Sequence, residues 1–171
     1  MVTTLSSLQK YQAVFSNEGV ELDLLSKSTD DKVRTESIIV QINPMNFLPT
    51  NHSNMLDKYT LKLINNGYNF ILRDGDCDIG LLSIYANDYI TKTAFTSMIG
   101  IIPTYRGGNL AAHLVKFALE FAKEVGMEKY RAEVHKENAK WLKFLLRYNF
   151  QIESETENNT YMIVNELSLS N

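Results

Sequence analysis

The stretch from Met98 to Ala112 reads MIGIIPTYRGGNLAA, and it constrains the fold more than any other part of the chain. A short apolar run ends at Pro103, a loop with two adjacent glycines follows, and an amphipathic segment begins at Leu110. A strand, a glycine loop and a helix in this order place unpaired backbone N–H groups at the positive end of a helix dipole. The stretch therefore predicts a site for a phosphorylated ligand just before Leu110.

The residues after this loop follow a helical period as far as Gly126. Apolar side chains recur on one face at positions 110, 114, 118, 121 and 125, and polar side chains occupy the other face. That spacing predicts a helix with one buried side, and a glycine is typical of the position after a last helical turn.

The rest of the chain alternates between helical and strand patterns without repeats or linkers. Helices are predicted over 5–16, 29–42, 53–66 and 138–148, and strands over 20–25, 68–72, 78–85, 94–102, 130–135, 151–155 and 161–167. Pro44 and Pro49 bracket a predicted loop, and Asp74-Gly75-Asp76 is a predicted hairpin turn. Strands alternating with helices and followed by a hairpin indicate a layered α+β domain.

Length and composition exclude several classes of protein. A chain of 171 residues is typical of one domain, and a net charge of −3 gives no basic surface for nucleic acid. No apolar run reaches the roughly 18 residues that a membrane span needs. One cysteine and no signal sequence predict a reducing, cytoplasmic compartment, and no His/Cys cluster predicts a metal.

Two common phosphate-binding motifs do not fit the loop. No lysine follows Gly108, which a P-loop requires, and the three spaced glycines of a dinucleotide site are missing. The segment from Arg106 to Ala111 instead resembles the phosphate-binding motif of the GNAT superfamily of N-acyltransferases, in which Arg or Gln is followed by spaced glycines. Val134, Asn138 and Phe150 resemble the family's second cofactor motif.

The resemblance implies a fold and a coenzyme. The fold would be a mixed, mostly antiparallel twisted sheet flanked by helices, with two strands splayed apart at a bulge, which we place at Gly100. Residues 1–67 would form a helical acceptor-side segment and 68–171 the sheet and the CoA-binding core. Acetyl-CoA would bind through Ile101, Arg106, Gly107, Gly108, Asn109, Leu110, Ala111 and Asn138.

Two of these assignments carry conditions. Asn109 stands where the family has a glycine, and we expect it to tolerate a positive φ there. Asn138 would hydrogen-bond the pantetheine arm, and the alternative is that its side chain only caps a helix. The Ile101 N–H is the candidate donor to the thioester oxygen.

The catalytic groups are less clear from the sequence. The position at which the family often has an acidic tyrosine is Leu145, so Tyr148 is the candidate acid, with packing at a helix end as the alternative. Glu133 is the candidate base, or else part of a solvated strand face. Asn87 and Asp88 are the candidate substrate contacts, or else a turn.

The predicted activity is acetyl transfer from acetyl-CoA to a primary amine of a small molecule. Residues 85–88 and 97–99 resemble family members from bacterial polysaccharide pathways, so an amino-sugar nucleotide is the first candidate acceptor. Polyamines, antibiotics and peptide N-termini stay open. Because Leu145 replaces the tyrosine, the alternative is a weak or inactive acyl-CoA-binding module. We expect a monomer or homodimer.

Overall fold

The computed structural model describes residues 5–42 and 53–167, and it contains five α-helices and seven strands within those ranges. They are α1 (Ser6–Asn17), β1 (Glu21–Leu24), α2 (Thr29–Ile42), α3 (Ser53–Asn66), β2 (Tyr68–Asp74), β3 (Cys77–Asp88), β4 (Thr93–Ile101), α4 (Leu110–Glu124), β5 (Lys129–His135), α5 (Ala139–Leu146), β6 (Gln151–Glu155) and β7 (Thr160–Glu166). All the predicted helices and strands are present, although α5 ends two residues early. The loop predicted between Pro44 and Pro49 lies outside the described residues.

The seven strands form one sheet in the order β1-β2-β3-β4-β5-β7-β6. Every neighbouring pair is antiparallel except β4 and β5, which are parallel and are connected by α4. This arrangement confirms the predicted mixed, mostly antiparallel sheet. The crossover through α4 puts the glycine loop directly after the end of β4.

Helices cover the two faces of the sheet unequally. α1, α4 and α5 pack on one face, where Phe70, Phe117 and Phe121 form a cluster of edge-on and tilted rings. α2 and α3 pack on the other face over a smaller apolar cluster that includes Ile38 and Leu63. We call the face under α2 and α3 the second face. Within the segment 1–67, therefore, α1 packs beside α4 and only α2 and α3 lie on the second face.

Two carboxylates of α4 hold α1, and Glu120 binds the Lys10 ammonium and the Tyr11 hydroxyl. Glu124, at the end of α4, accepts hydrogen bonds from the backbone N–H of Ser6 (2.6 Å) and Ser7 (2.9 Å) and from both hydroxyls. Desolvation on its own would raise the pKa of Glu124, but these four hydrogen bonds outweigh it and lower that pKa to about 2. The carboxylate thereby satisfies N–H groups that the first turn of α1 leaves unpaired.

α2 is attached to the sheet by an ion pair and a close contact. The Arg34 guanidinium donates to both carboxylate oxygens of Asp78 on β3, at 3.0 and 2.8 Å. Near the other end of α2, Ile42 packs onto Gly100 so closely that a Cβ on Gly100 would lie 3.1 Å from the Ile42 Cδ1. A larger residue at position 100 would therefore displace the Ile42 side chain by a few tenths of an ångström.

The predicted bulge at Gly100 is wrong. Gly100 pairs in regular register with Leu81, and the register between β3 and β4 shifts between Ser83 and Ile84. Met98 pairs with Ser83 and Thr96 with Ile84, so the unpaired extra residue is Ser97. A glycine within a strand can mark a bulge, but Gly100 instead leaves room for Ile42 of α2 and does not change the register.

Candidate active site

The two parallel strands separate in the middle of the sheet. β4 and β5 are paired from Thr93 and Lys129 to Thr96 and Ala132, and neither strand has a registered partner in the other beyond that point. A gap therefore opens between Ser97–Ile101 and Glu133–His135. This confirms the predicted splayed pair, and the bulge residue Ser97 is the first residue of β4 inside the gap.

Backbone groups of β4 line this gap. The Ile102 N–H donates to the Ile79 carbonyl at 2.9 Å, which makes Ile101 and Gly80 a non-hydrogen-bonded pair. The alternation of the antiparallel ladder then turns the N–H and C=O of Ile101 and of Ile99 away from β3, toward the gap. Ile101 was the predicted donor. Ile99 was missed, although it lies two positions earlier on the same side of the strand.

The loop before α4 has open space over its backbone. A Cβ built on Gly107 or Gly108 would meet no atom within 4 Å. Gly107 has a φ of +94°, whereas Asn109 has φ −93° and ψ −4°, an ordinary helical conformation. Asn109 therefore does not adopt the positive φ that we expected it to tolerate. Asn109 costs no backbone strain because the left-handed turn falls two residues earlier, on a glycine.

The start of α4 fits an anion. The carbonyl of Asn109 accepts the first helical hydrogen bond, from the His113 N–H at 3.0 Å, while its side chain makes no capping bond. Leu110 turns its side chain into the core, and Ala111 is partly buried. The loop therefore offers backbone N–H groups at the positive end of a helix dipole, with small side chains around them.

The Arg106 side chain braces this loop against β4 and α2. Its Nε donates to the Ile101 carbonyl at 2.7 Å, and a terminal nitrogen donates to the Ile42 carbonyl at 3.3 Å. The side chain thus joins the end of β4 to the last described turn of α2, where a positive charge is favourable. Its assignment as a coenzyme contact stays a prediction.

Asn138 precedes α5 and is half-buried. Its N–H donates to the His135 carbonyl at 2.8 Å and its carbonyl accepts from Leu142 at 3.1 Å, but its side chain forms no capping bond. The side-chain amide thus does not perform the capping role that was its alternative. The family glycine near the end of this segment is replaced by Asn149, which adopts a φ of +65°.

α5 supplies no acid at the expected position. Leu145 is buried in the core of the first face. Tyr148 follows the end of α5, with its ring 5.1 Å from that of Phe144 and its carbonyl accepting a hydrogen bond from Asn165 at 2.7 Å. These contacts position Tyr148 by packing, and its role as the acid stays a prediction.

Glu133 lies on the separated part of β5 and is exposed. Its carboxylate accepts hydrogen bonds from Thr160 Oγ1 at 2.5 Å and from Thr156 Oγ1 at 3.4 Å. Alternate residues Tyr130, Ala132 and Val134 enter the core of the first face, so Glu133 is directed to the second face. It stays the candidate base, although hydroxyls on and beside β7 already engage it.

β3 ends with Asn87 and Asp88, at the end of the strands opposite the glycine loop. Both are exposed, and the Asp88 carboxylate accepts hydrogen bonds from the N–H and the hydroxyl of Thr91. These bonds lower the pKa of Asp88. Asp88 therefore holds the turn into β4. The substrate role of this pair stays a prediction.

A hydroxyl cluster at the bulge was not predicted. We use this term for Tyr59 of α3, Tyr85 of β3 and Ser97 of β4. The Tyr59 hydroxyl lies 3.1 Å from the Ser97 carbonyl oxygen and 2.9 Å from Ser97 Oγ. The Tyr85 hydroxyl is buried and makes no hydrogen bond of ordinary geometry to any described residue, although a longer contact with the Ser97 side chain opposes the effect of burial on its pKa. Burial raises the pKa of Tyr59 to about 12 and also raises that of Tyr85.

No helix in the described residues is long and apolar enough to cross a membrane, and no group of three or more His, Cys, Asp or Glu in them could hold a metal ion. No curated protein matches the sequence. Solved structures do match the fold, among them three acetyltransferases.

An IAA acetyltransferase from Bacillus cereus ATCC 14579 aligns with a TM-score of 0.65 and 17% identity, over 86% of this chain and 99% of that one. A chimera of spermidine N-acetyltransferase SpeG from Vibrio cholerae and hSSAT aligns with a TM-score of 0.69 and 21% identity, over 88% and 96%. The PaiA N-acetyltransferase from Thermoplasma acidophilum, solved in complex with coenzyme A, aligns with a TM-score of 0.67 and 15% identity, over 86% and 98%.

At these identities the structural matches establish the fold alone. The sequence itself matches the family model for the Acetyltransferase (GNAT) family over residues 37–150, a range that contains β4, the glycine loop, α4, β5 and α5. Because the match covers most of the 171 residues, the chain belongs to the GNAT acetyltransferase family.

Proposed function

We propose that the protein is an acetyl-CoA-dependent N-acetyltransferase that acylates a primary amine of a small molecule. The observation that carries the proposal is the gap between β4 and β5, with the N–H groups of Ile99 and Ile101 turned into it. This gap leads directly to the open glycine loop at the start of α4. A long ligand with an amide-rich arm and a phosphorylated end fits that path.

The coenzyme has a place on each part of the path. The pyrophosphate would lie on the backbone N–H groups of 107–111, where open space and the helix dipole favour it. The pantetheine arm would extend along the free edge of β4 between Ile99 and Ile101, within reach of the Asn138 amide. When bound, acetyl-CoA supplies an acetyl group activated as a thioester.

The transfer proceeds by direct attack of a neutral amine on the thioester carbonyl. Backbone N–H groups stabilise negative charge on the carbonyl oxygen best when they are fixed beforehand, and the Ile101 N–H, with Ile99 beside it, is held by the β3–β4 ladder. The leaving thiolate comes from a thiol of pKa near 8.5, so it departs without help from an acid at Leu145.

The acceptor we propose first is an amino-sugar nucleotide, which the resemblance at residues 85–88 and 97–99 supports. A second candidate function is an acyl-CoA-binding module with little or no transferase activity. The burial of Leu145 in the core favours it, because no side chain at that position can protonate the thiolate. The loss of a general acid removes about 10²- to 10⁴-fold in rate.

The test combines binding with turnover. Calorimetry measures the Kd for acetyl-CoA, and thiol release measures turnover against amino sugars and their nucleotides, polyamines, aminoglycosides and short peptides. Turnover with an amine supports the transferase, and coenzyme binding without turnover supports the module. Absence of coenzyme binding contradicts both.

Two variants locate the coenzyme. Gly108→Glu puts a carboxylate into the open space over the loop without backbone strain, since Gly108 has no positive φ. It should weaken acetyl-CoA binding at least tenfold, because two like charges at about 4 Å repel by about 4 kcal/mol near a protein surface, and about 1.4 kcal/mol is enough for a tenfold change. Gln151→Glu adds the same charge on exposed β6 and should leave the Kd unchanged.

A further inference from the structure

The hydroxyl cluster lies where two irregularities of the sheet coincide. Ser97 is the extra residue in the β3–β4 register and also the first residue of β4 after its pairing with β5 ends. It is half-buried. Its side chain is therefore held at the fork of the two strands, at the inner end of the gap that leads to the glycine loop.

The hydrogen bonds of the cluster leave Ser97 Oγ able to accept another. The Tyr59 hydroxyl donates its one hydrogen to the Ser97 carbonyl, at 3.1 Å. Its oxygen can then accept the hydrogen of Ser97 Oγ, at 2.9 Å. With that hydrogen committed, Ser97 Oγ has two lone pairs, and one of them can accept from a ligand that carries N–H groups even when the Tyr85 hydroxyl beside it donates to the other. Tyr59 fixes this orientation from α3, and the ring of Tyr85 packs beside it.

We propose that Ser97 is a catalytic residue whose Oγ accepts a hydrogen bond from the attacking amine, and that Tyr59 and Tyr85 position it. This inference rests on the proposed transferase activity. The bond directs the nitrogen lone pair toward the thioester carbonyl. As the N–C bond forms and the C–S bond breaks, one amine proton leaves to solvent and the thiolate takes one proton from solvent. The products are the N-acetyl amine and CoA.

The charges around the cluster indicate the class of acceptor. The Lys62 ammonium lies 5.8 Å from the centre of the Tyr85 ring, and the phenols of Tyr59 and Tyr85 stay neutral at physiological pH. Glu133, across the gap, is bonded to Thr160. No carboxylate of a described residue hydrogen-bonds to Ser97. The site therefore takes an amine that arrives neutral, which favours weakly basic amines, such as those of amino sugars or peptide N-termini, over polyamines.

The first experiment distinguishes an effect of Ser97 on catalysis from an effect on folding. Ser97→Ala should lower kcat/KM for the best acceptor about tenfold, which is about 1.4 kcal/mol and within the range of one lost hydrogen bond, and should leave the Kd for acetyl-CoA unchanged. Ser97→Thr keeps the hydroxyl and should restore most of the activity. Tyr59→Phe should reproduce part of the loss. Tyr68→Phe removes a phenol from the first face and should change nothing.

The second experiment tests whether the pH dependence of kcat/KM follows the pKa of the acceptor amine. Two acceptors whose amines differ by about two pKa units should give kcat/KM profiles whose midpoints differ by about the same amount, because the site binds the neutral amine. Glu133→Gln should leave both midpoints in place. If Glu133 were the base instead, a carboxylate limb common to both acceptors would appear at low pH and vanish in Glu133→Gln.

The results distinguish the two proposals. A wild-type protein that binds acetyl-CoA but acetylates no amine contradicts the transferase and with it the role of Ser97. A wild-type protein that turns over, with kcat/KM unaffected by Ser97→Ala, contradicts the role of Ser97 alone. The role of Ser97 is also contradicted if Ser97→Thr is no more active than Ser97→Ala, or if the midpoint of the pH profile does not change with the pKa of the amine.

Discussion

The buried hydroxyl of Tyr85 should destabilise the free protein. It is shielded from solvent and makes no hydrogen bond of ordinary geometry to a described residue. A hydroxyl that loses its bonds to water and gains none costs about 1–3 kcal/mol. Tyr85→Phe removes that oxygen and keeps the ring, which packs over Gly67 and beneath Lys62. We therefore expect the variant to be more stable than the wild type.

The size of the effect follows from the same numbers. Removing the unpaired hydroxyl should raise the free energy of unfolding by about 1 kcal/mol, at the lower end of that cost, because the phenylalanine leaves a small void in place of the oxygen. For a chain of 171 residues, 1 kcal/mol corresponds to about 2–4 °C in Tm. The void limits the gain but should not reverse it.

Thermal and urea unfolding without ligand measure this directly. Tyr68→Phe is the matched control. The Tyr68 ring packs edge-on against Phe121 at 4.9 Å on the first face. Removing its hydroxyl should change Tm by no more than about 1 °C. A Tyr85→Phe variant whose Tm falls by several degrees would refute the reasoning, because the hydroxyl would then have a partner.

Two further predictions test how α1 and α2 are held in place. Glu124→Gln should lower Tm by about 2–4 °C at pH 7, since it weakens bonds that cap α1, worth about 1 kcal/mol. Because the pKa of Glu124 is lowered from 4.5 to about 2, the wild-type advantage is complete above about pH 5 and should shrink as the pH falls toward 2, in unfolding scans across that range. Gly100→Ala should cost about 1 kcal/mol in urea unfolding through its contact with Ile42, and Ile42→Val should recover part of it; additive losses would contradict the contact.

Local patterns were sufficient for much of this protein. The apolar period after Leu110 specified α4, and the strand, loop and helix around Gly107 specified an anion site, since each depends only on neighbours in the chain. The order of these elements identified the family before any contact was known. The splayed strands followed from that resemblance and not from any local signal.

Tertiary structure decided the details that matter for chemistry. Ser97, not Gly100, is the bulge, because register depends on the partner strand, and Gly100 makes room for Ile42, 58 positions earlier. Gly107, not Asn109, adopts the positive φ because α4 begins one residue after Asn109. The hydroxyl cluster brings together Tyr59 and Ser97, which are 38 positions apart in the chain. Glu133 accepts a hydrogen bond from Thr160, which is 27 positions later.

The sequence by itself determined the elements, their order and the phosphate-binding loop, because these follow from backbone preferences and periodicity over a few residues. Only the folded sheet decided which backbone N–H groups face the gap and which side chains gather at Ser97. Those properties depend on strand register and on which helix covers which face, and neither is encoded in any single segment.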